Sequence, residues 1–463
     1  MKIALLGYDR QGKSAYDYFS KQGHKLTICD KKTRLASLPQ DVDTKLGDDY
    51  LADLDQFDLL VRTPGLHPES ILDANPDAVM LQEKITTVTN EFLRVCPTKN
   101  IVGVTGTKGK GTTSTLLSRM LHAAGKRVHL GGNIGIPPLE LLQGAGLLHG
   151  EESPNIVHGV NQSSGPSAAM VQPDDWVVLE LANFQLIDLQ FSPKIAVCLM
   201  IAPEHLDWHS DIDEYLRAKQ QLFVHQTEHD IAIYNAQDNR SIHLATTSLG
   251  THIPYMEEPG AFVKDDEIWL GGKKLCHKDD IHLLGEHNLE NVCAAATAAW
   301  QITEDHTSIA RAAKSTKPLP FRIEKRATTS GITYYNDSFA TNPDATIAAI
   351  RAVEGPKVLL LGGHDRGLDF TSLADQINNQ DNEVEYIITF GESGKRIAST
   401  LQESGVSNIE AIESKQLQDV ITASQKQATK GSAVVFSPAC ASFDMFKNFE
   451  ERGKQFNEII EKL

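Results

Sequence analysis

The chain has 463 residues, 41% of them hydrophobic and 23% charged, with a formal net charge of −17. That length suggests about three domains, and the mixture excludes a disordered, collagen-like or coiled-coil chain. The acidic balance argues against non-specific nucleic-acid or anionic-membrane partners, while leaving room for a local basic pocket for a phosphorylated ligand. The six cysteines (Cys29, Cys96, Cys198, Cys276, Cys293 and Cys440) are scattered with no CxxC pair. Such usage fits a reduced, cytoplasmic protein better than a disulfide or cysteine–zinc framework. The apolar run after Met1 meets Gly7 and charge at once, so it reads as a strand rather than a leader, and no stretch approaches the length of a membrane helix.

In chain order, KIALLG (2–7), KLTICD (25–30) and FDLLVRTPG (57–65) read as strands, with a helix from Ser14 to Gln22 between the first two. Short apolar runs, each followed by a polar turn and a helix, predict a parallel sheet with crossover helices. A boundary is expected near Cys96–Pro97. A second cycle starts at NIVGVTGTKGKGTTS (100–114) and continues through strands WVVLEL (176–181) and KIAVCLMIA (194–202). Helices are expected at DEYLRAKQQLF (213–223) and GEHNLENVCAAATAAWQI (285–302). Segment 144–172, rich in Gly, Ser, Pro and Asn, reads as a long loop or insertion. After Pro318 and Pro320 come ITYYND (332–337), KVLLLGG (357–363), EYIITFG (385–391) and AVVFSPA (433–439), a third α/β unit. The expectation is an α/β protein of three domains, residues 1–97, 98–317 and 318–463, with no short internal repeat.

The strongest chemical signal is GVTGTKGKGTTS (103–114). A strand feeds a glycine-rich turn whose backbone N–H groups face a phosphate at a helix start. Gly106, Thr107, Lys108, Gly109, Lys110, Gly111, Thr112 and Thr113 form this loop. It is not a strict Walker sequence, because Val104 stands where the first glycine would be and Gly111 follows the lysine. Thr112 and Thr113 offer the nearest hydroxyls for Mg²⁺. Glu180 ends one core strand and His205 follows another; a carboxylate and a histidine beside a phosphate loop suit a metal bridging phosphate oxygens, although either also reads as an ordinary strand-end or capping residue. Asn288 and Asn291 in GEHNLEN share a helix face and read either as a capped helix start or as a base or ribose contact. GYDRQGKS (7–14) has only GxxxxG spacing, and with Asp30 at the end of the next strand it reads as a phosphate loop or a plain strand–helix turn. The polar clusters 336–338, 362–366 and 437–442 follow three strands of the third unit, where open α/β sheets bind ligands.

Taken together, these segments resemble the Mur ligases, and within them the D-glutamate-adding branch. VTGTKGKGTT, GGNIG (131–135), LELANFQL (179–186), PEHLDWH (203–209), YLRAKQQLF, GEHNLEN, LPFRIE and YYNDSFATNP (334–343) carry the likeness, and SPACASFDMFKNFEERGKQF (437–456) carries its most specific part. The resemblance implies a UDP-binding Rossmann-like domain, a P-loop-type ATPase domain with a mostly parallel sheet, and a C-terminal Rossmann-like domain that binds the amino acid. It implies a cytoplasmic, monomeric ATP- and Mg²⁺-dependent ligase that joins D-glutamate to UDP-N-acetylmuramoyl-L-alanine. On it, Lys110, His205 and Lys219 serve the chemistry, with Lys219 matching the lysine that the family carbamylates. Thr112, Glu180, His205 and Lys219 would hold metal, and the 106–113 loop with Asn288, Asn291, Arg322 and Asp337 would hold ATP. The UDP-substrate would meet Asp9, Arg10, Gln11, Asp30, Lys31, Thr63, Pro64, Gly65, Asn90 and Asn133. Thr341, Arg366, Ser442 and Phe449 would line the D-glutamate pocket. The chain departs from the family pattern at Phe339, where a lysine is usual, at Arg366, at Ala182–Asn183 and at Gly111. The Lys–Gly–Thr loop also resembles folylpolyglutamate synthetase, and the Phe339 and Ala182 departures leave a non-catalytic nucleotide-binding relative as a third reading.

Overall fold

In a computed structural model, residues 1–35, 37–133, 135–148, 170–206 and 208–463 are described. Most of the expected 144–172 loop, residues 149–169, lies outside them. The chain divides into two compact units, Met1–Ile281 with Leu289–Thr316, and His282–Asn288 with Lys317–Leu463.

The first unit holds two parallel sheets. The first contains β1 (Lys2–Leu6), β2 (Lys25–Asp30), β3 (Asp43–Leu46), β4 (Leu59–Arg62) and β5 (Ile85–Thr87), in the order β3-β2-β1-β4-β5. The second contains β6 (Ile101–Thr105), β7 (Val128–Gly132), β8 (Trp176–Glu180), β9 (Ile195–Cys198), β10 (Ile231–Asn235) and β11 (Thr251–Tyr255), in the order β11-β10-β9-β6-β8-β7. All neighbours in both are parallel. Central strands such as β6 are buried along their whole length, which is why they read as continuous apolar runs rather than alternating ones. One apolar cluster runs through both sheets, with Ile3, Phe92, Leu139, Leu179, Leu186 and Phe223 among its members. The same unit carries an antiparallel sheet of β12 (Phe262–Lys264), β13 (Glu267–Leu270) and β14 (Lys273–His277), which sequence reading missed.

The second unit is built on β15 (Glu324–Thr329), β16 (Ile332–Asn336), β17 (Lys357–Gly362), β18 (Val384–Phe390), β19 (Ile409–Ala411) and β20 (Ala433–Phe436). Their order is β15-β16-β20-β17-β18-β19, and only the β15–β16 pair is antiparallel. Two apolar layers cover its two faces, one around Leu359 and Leu361, the other around Val358, Phe436 and Phe456. Among the described residues no helix is long and apolar enough to cross a membrane, and all six cysteines are free and buried.

The first helix spans Arg10–Ser20, four residues earlier than its apolar pattern indicated, because the polar residues Arg10–Lys13 form its first turn. The glycine pair of GGNIG lies at the end of β7 rather than in the turn itself.

Candidate active site

The β6 strand ends in Thr105, and the helix Lys110–Ala123 starts after a turn of four residues. Two glycines make that turn possible. Gly106 has φ +149° and a Cβ there would stand 2.6 Å from Leu199 Cβ; Gly109 has φ +86° and its Cβ would stand 2.1 Å from Asn291 Oδ1. Thr107 pins the loop to the segment after β9: its N–H donates to Met200 O (2.8 Å), and its hydroxyl donates to Ala202 O (2.9 Å) and lies 2.7 Å from Tyr215 Oη. Lys110 Nζ lies over the loop, donating to Gly106 O (3.0 Å) and Thr107 O (2.9 Å). Thr113 Oγ1 donates to Asn291 Oδ1 at 3.2 Å. Lys108 is exposed, Gly111 and Thr113 are buried, and Thr112 is half-buried at the helix start.

Glu180, 3% exposed, closes β8. Asn133 Nδ2 donates to its Oε1 at 3.2 Å, while its Oε2 is buried and makes no hydrogen bond. A buried carboxylate oxygen without a donor is the expected signature of a cation ligand. Lys219, 1% exposed, reaches the same loop from the helix Ile212–Val224, where its Nζ donates to Gly106 O at 2.9 Å and lies 4.7 Å from the centre of the Tyr215 ring. Burial, reinforced by the Lys110 charge, drives its amine well below the usual lysine range. His205 is part-exposed, with φ +59°, and its ring lies 4.7 Å from the Phe184 ring.

In the first sheet the structure gathers the expected strand ends. Asp30 accepts from the Tyr8 N–H (2.8 Å) and the Lys32 N–H (2.9 Å). Thr63 Oγ1 donates to Leu6 O (3.0 Å), beside Pro64–Gly65. Asp9, Arg10 and Lys31 are exposed around this edge, and Gln11 Oε1 is buried without a hydrogen bond. Asn90 is different: its Nδ2 donates to Asp188 O (2.9 Å) and its Oδ1 accepts from Gln190 N–H (2.9 Å), so the amide braces a neighbouring segment.

In the second unit, Asp337 is buried at the end of β16, accepting from Ser437 Oγ (2.6 Å) and Ile323 N–H (3.1 Å). Burial pushes its carboxyl up to about 7 against those donors and the nearby Arg322 and Arg452 charges. Arg322 stacks 3.7 Å over the Phe339 ring, and Phe449 meets the same ring edge-on at 4.9 Å. Arg366 Nη2 donates to Thr341 O (2.9 Å), and Ser442 is buried nearby in sequence to the Cys440–Ala441 turn. Asn288 donates to Leu284 O (2.6 Å) within this unit. Arg452 went unnoticed in the sequence. It is fully buried, with Nε on Ser338 Oγ (3.0 Å), Nη1 on Cys440 O (3.0 Å) and Ala441 O (3.3 Å), and Nη2 on Ser338 O (2.7 Å). The signal was its place on the buried stripe of the helix Phe449–Ile460, with Gly453, Phe456, Ile459 and Ile460.

A glycine turn between a parallel-sheet strand and a helix, with a buried carboxylate that has one oxygen without a hydrogen bond and a buried lysine on the turn, is the arrangement of a nucleotide-using α/β enzyme. Residues 104–299 match the Mur ligase middle domain and residues 321–440 the Mur ligase, glutamate ligase domain. The UDP-N-acetylmuramoylalanine–D-glutamate ligases of Clostridium kluyveri and Clostridium acetobutylicum are 31% and 32% identical to this chain. Each match covers all of this chain and 97% and 96% of theirs. The chain belongs to the Mur ligase family. The fold is similar to that of the UDP-N-acetylmuramate–alanine ligase of Thermotoga maritima, with a TM-score of 0.60 at 15% identity, covering 100% of this chain and 99% of that one.

Proposed function

We propose that this chain is an ATP-dependent carbon–nitrogen ligase that adds D-glutamate to UDP-N-acetylmuramoyl-L-alanine in the cytoplasm, as a monomer, during peptidoglycan precursor synthesis. The observation that carries the reading is the full-length identity to ligases that bear that name. Residues 1–97 would take the UDP end, 98–317 ATP, and 318–463 the amino acid.

A carboxylate is a poor acylating agent. In this reading the L-alanyl carboxylate attacks the γ-phosphorus and ADP leaves; the D-glutamate amine then attacks the acyl phosphate, and inorganic phosphate leaves with formation of the amide. Loop N–H groups after Thr107, whose own N–H is taken by Met200 O, bind phosphate oxygens, and Lys110 swings from the Gly106 and Thr107 carbonyls to the β/γ-phosphates. Bound Mg²⁺ would supply charge neutralisation at the phosphates. Glu180 fits it, because Asn133 occupies Oε1 and leaves the buried Oε2 without a hydrogen bond. Thr112, His205 and Lys219 would complete the set. A neutral amine is the form that takes up carbon dioxide, and the depressed basicity of Lys219 favours that form, so carbamylation there is part of the same reading. Asn288, Asn291, Arg322 and Asp337 would contact the nucleotide. Thr341, Arg366, Ser442 and Phe449 would take the amino acid, with the Arg366 fork suited to a carboxylate.

The test is phosphate release with ATP, Mg²⁺ and UDP-N-acetylmuramoyl-L-alanine across a panel of D- and L-amino acids. Release that depends on D-glutamate, with a product heavier by one glutamyl residue, is expected. Release with another amino acid overturns the specificity. Turnover of a folate with L-glutamate, and none of the UDP-sugar, overturns the substrate class in favour of the reading that Gly111 suggests.

A further inference from the structure

We propose that His67, His209 and Glu214 form a zinc site that ties the loop after β4 to the helix Ile212–Val224. One ligand atom from each side chain lies within 4.8 Å of the other two, and among the described residues this is the one such group of three His, Cys, Asp or Glu. None of the three is among the residues assigned above to magnesium.

The two histidines flank one carboxylate, each beside a different oxygen. His67 Nε2 stands 3.4 Å from Glu214 Oε1, and His209 Nδ1 stands 3.2 Å from Glu214 Oε2. A tetrahedral zinc with bonds of about 2.0–2.1 Å separates its ligands by about 3.3–3.4 Å. His67 Nε2 is buried and makes no hydrogen bond, although it faces a carboxylate oxygen. His209 Nδ1 is satisfied as a hydrogen-bonded clasp on Glu214 Oε2, whereas His67 Nε2 is left without a bond; a metal accounts for its direction and for its lack of a partner.

Each ligand is also oriented from behind, as metal-bound side chains usually are. His67 caps the helix Pro68–Asp73, where its Nδ1 accepts from Glu69 N–H (3.3 Å); metal at Nε2 would move the ring proton to Nδ1 and give up that cap, with the Glu69 carboxylate 4.0 Å away as the acceptor for the proton. The other nitrogen of His209 lies 2.7 Å from the Asn183 amide. Glu214 Oε2 accepts from Ser210 N–H (2.8 Å), and Glu214 N–H is capped by Asp211 (2.7 Å). Trp208 packs 4.4 Å from the His67 ring while its Nε1 donates to Gly65 O (3.2 Å), which holds the two segments together on one side. Two imidazoles and one carboxylate select zinc or cobalt over the hard, oxygen-seeking magnesium, and three protein ligands leave a fourth position for water.

The experiment is a titration of the full-length, chelator-stripped protein with cobalt(II) alone, followed by zinc. One equivalent of cobalt with the intense visible bands of a tetrahedral site, displaced by one equivalent of zinc, is expected. His67→Ala and His209→Ala should each weaken zinc binding by more than the roughly 10–100-fold lost with an outer-shell partner, whereas Glu180→Gln should leave it unchanged. Circular dichroism checks each variant; should His209→Ala not fold, His67→Ala and His67→Gln on the part-exposed loop carry the test. Absence of tetrahedral bands in the wild type, bands that survive both His67 variants, or bands lost in Glu180→Gln would overturn the site.

Discussion

The phosphate loop of the first unit and the Ser338/Cys440 turns of the second each take in one fully buried cation, and the two are treated in opposite ways. Lys219 makes one hydrogen bond among the described residues, to Gly106 O, and the Glu204 carboxylate acts on it only through space. Arg452 is held by Ser338 through two atoms and by the Cys440 and Ala441 carbonyls. Burial lowers the guanidinium only to about 10, so it stays charged at neutral pH, while the amine is driven far below its usual range. A buried cation with a full set of acceptors is a brace; a buried amine with a single acceptor loses basicity instead.

The largest effect expected of this contrast is on activity. Lys219→Ala should cost about a thousandfold or more in ADP formation, the scale on which single transition-state donors are lost. Short carboxylic acids should restore part of it by placing an oxygen ligand where a carbamate would lie. Lys219→Met should leave the urea midpoint unchanged or raise it, because it removes a costly buried amine. Wild-type turnover by Lys219→Ala would collapse the contrast.

Arg452→Met should do the reverse. Leaving three backbone carbonyls without their donor should cost about 1–3 kcal/mol for each acceptor that stays buried and unsatisfied. It would be read as a lower urea midpoint, with Arg452→Lys recovering part of the loss. A midpoint within error of wild type would show that the turns hold themselves.

The contrast also marks what the sequence made legible. β17 was expected at residues 357–363 and spans Lys357–Gly362, because a strand buried on both faces writes itself as a near-continuous apolar run. The β12–β14 sheet was not read: its strands have three to five residues and include the exposed Lys264, Lys273 and Lys274. Glycine spacing exposed the turn between β6 and the helix Lys110–Ala123, because such a turn dictates glycine chemistry locally. Arg452 stayed hidden inside KNFEERG, where an arginine reads as solvated until helix phase puts it on the apolar stripe. His67, His209 and Glu214 come from separate segments, and nothing local in any of them announces the other two.

The smallest expected effect concerns Phe339. The ring stands where the family pattern has a lysine; Arg322 lies 3.7 Å above its face and Phe449 meets its edge. A lysine here would repel Arg322, so the aromatic ring converts a repulsion into a cation–π contact worth about 0.5–1 kcal/mol at a partly exposed site. If Arg322 contacts the nucleotide, Phe339→Leu should raise the KM for ATP by about two- to fivefold, the same energy expressed as a ratio, with kcat nearly unchanged. Phe339→Lys should raise it further. A rise instead in the KM for D-glutamate would place the ring's effect on the amino-acid pocket through Phe449. The second unit's departure from the family would then tune what is ligated rather than how ATP is held.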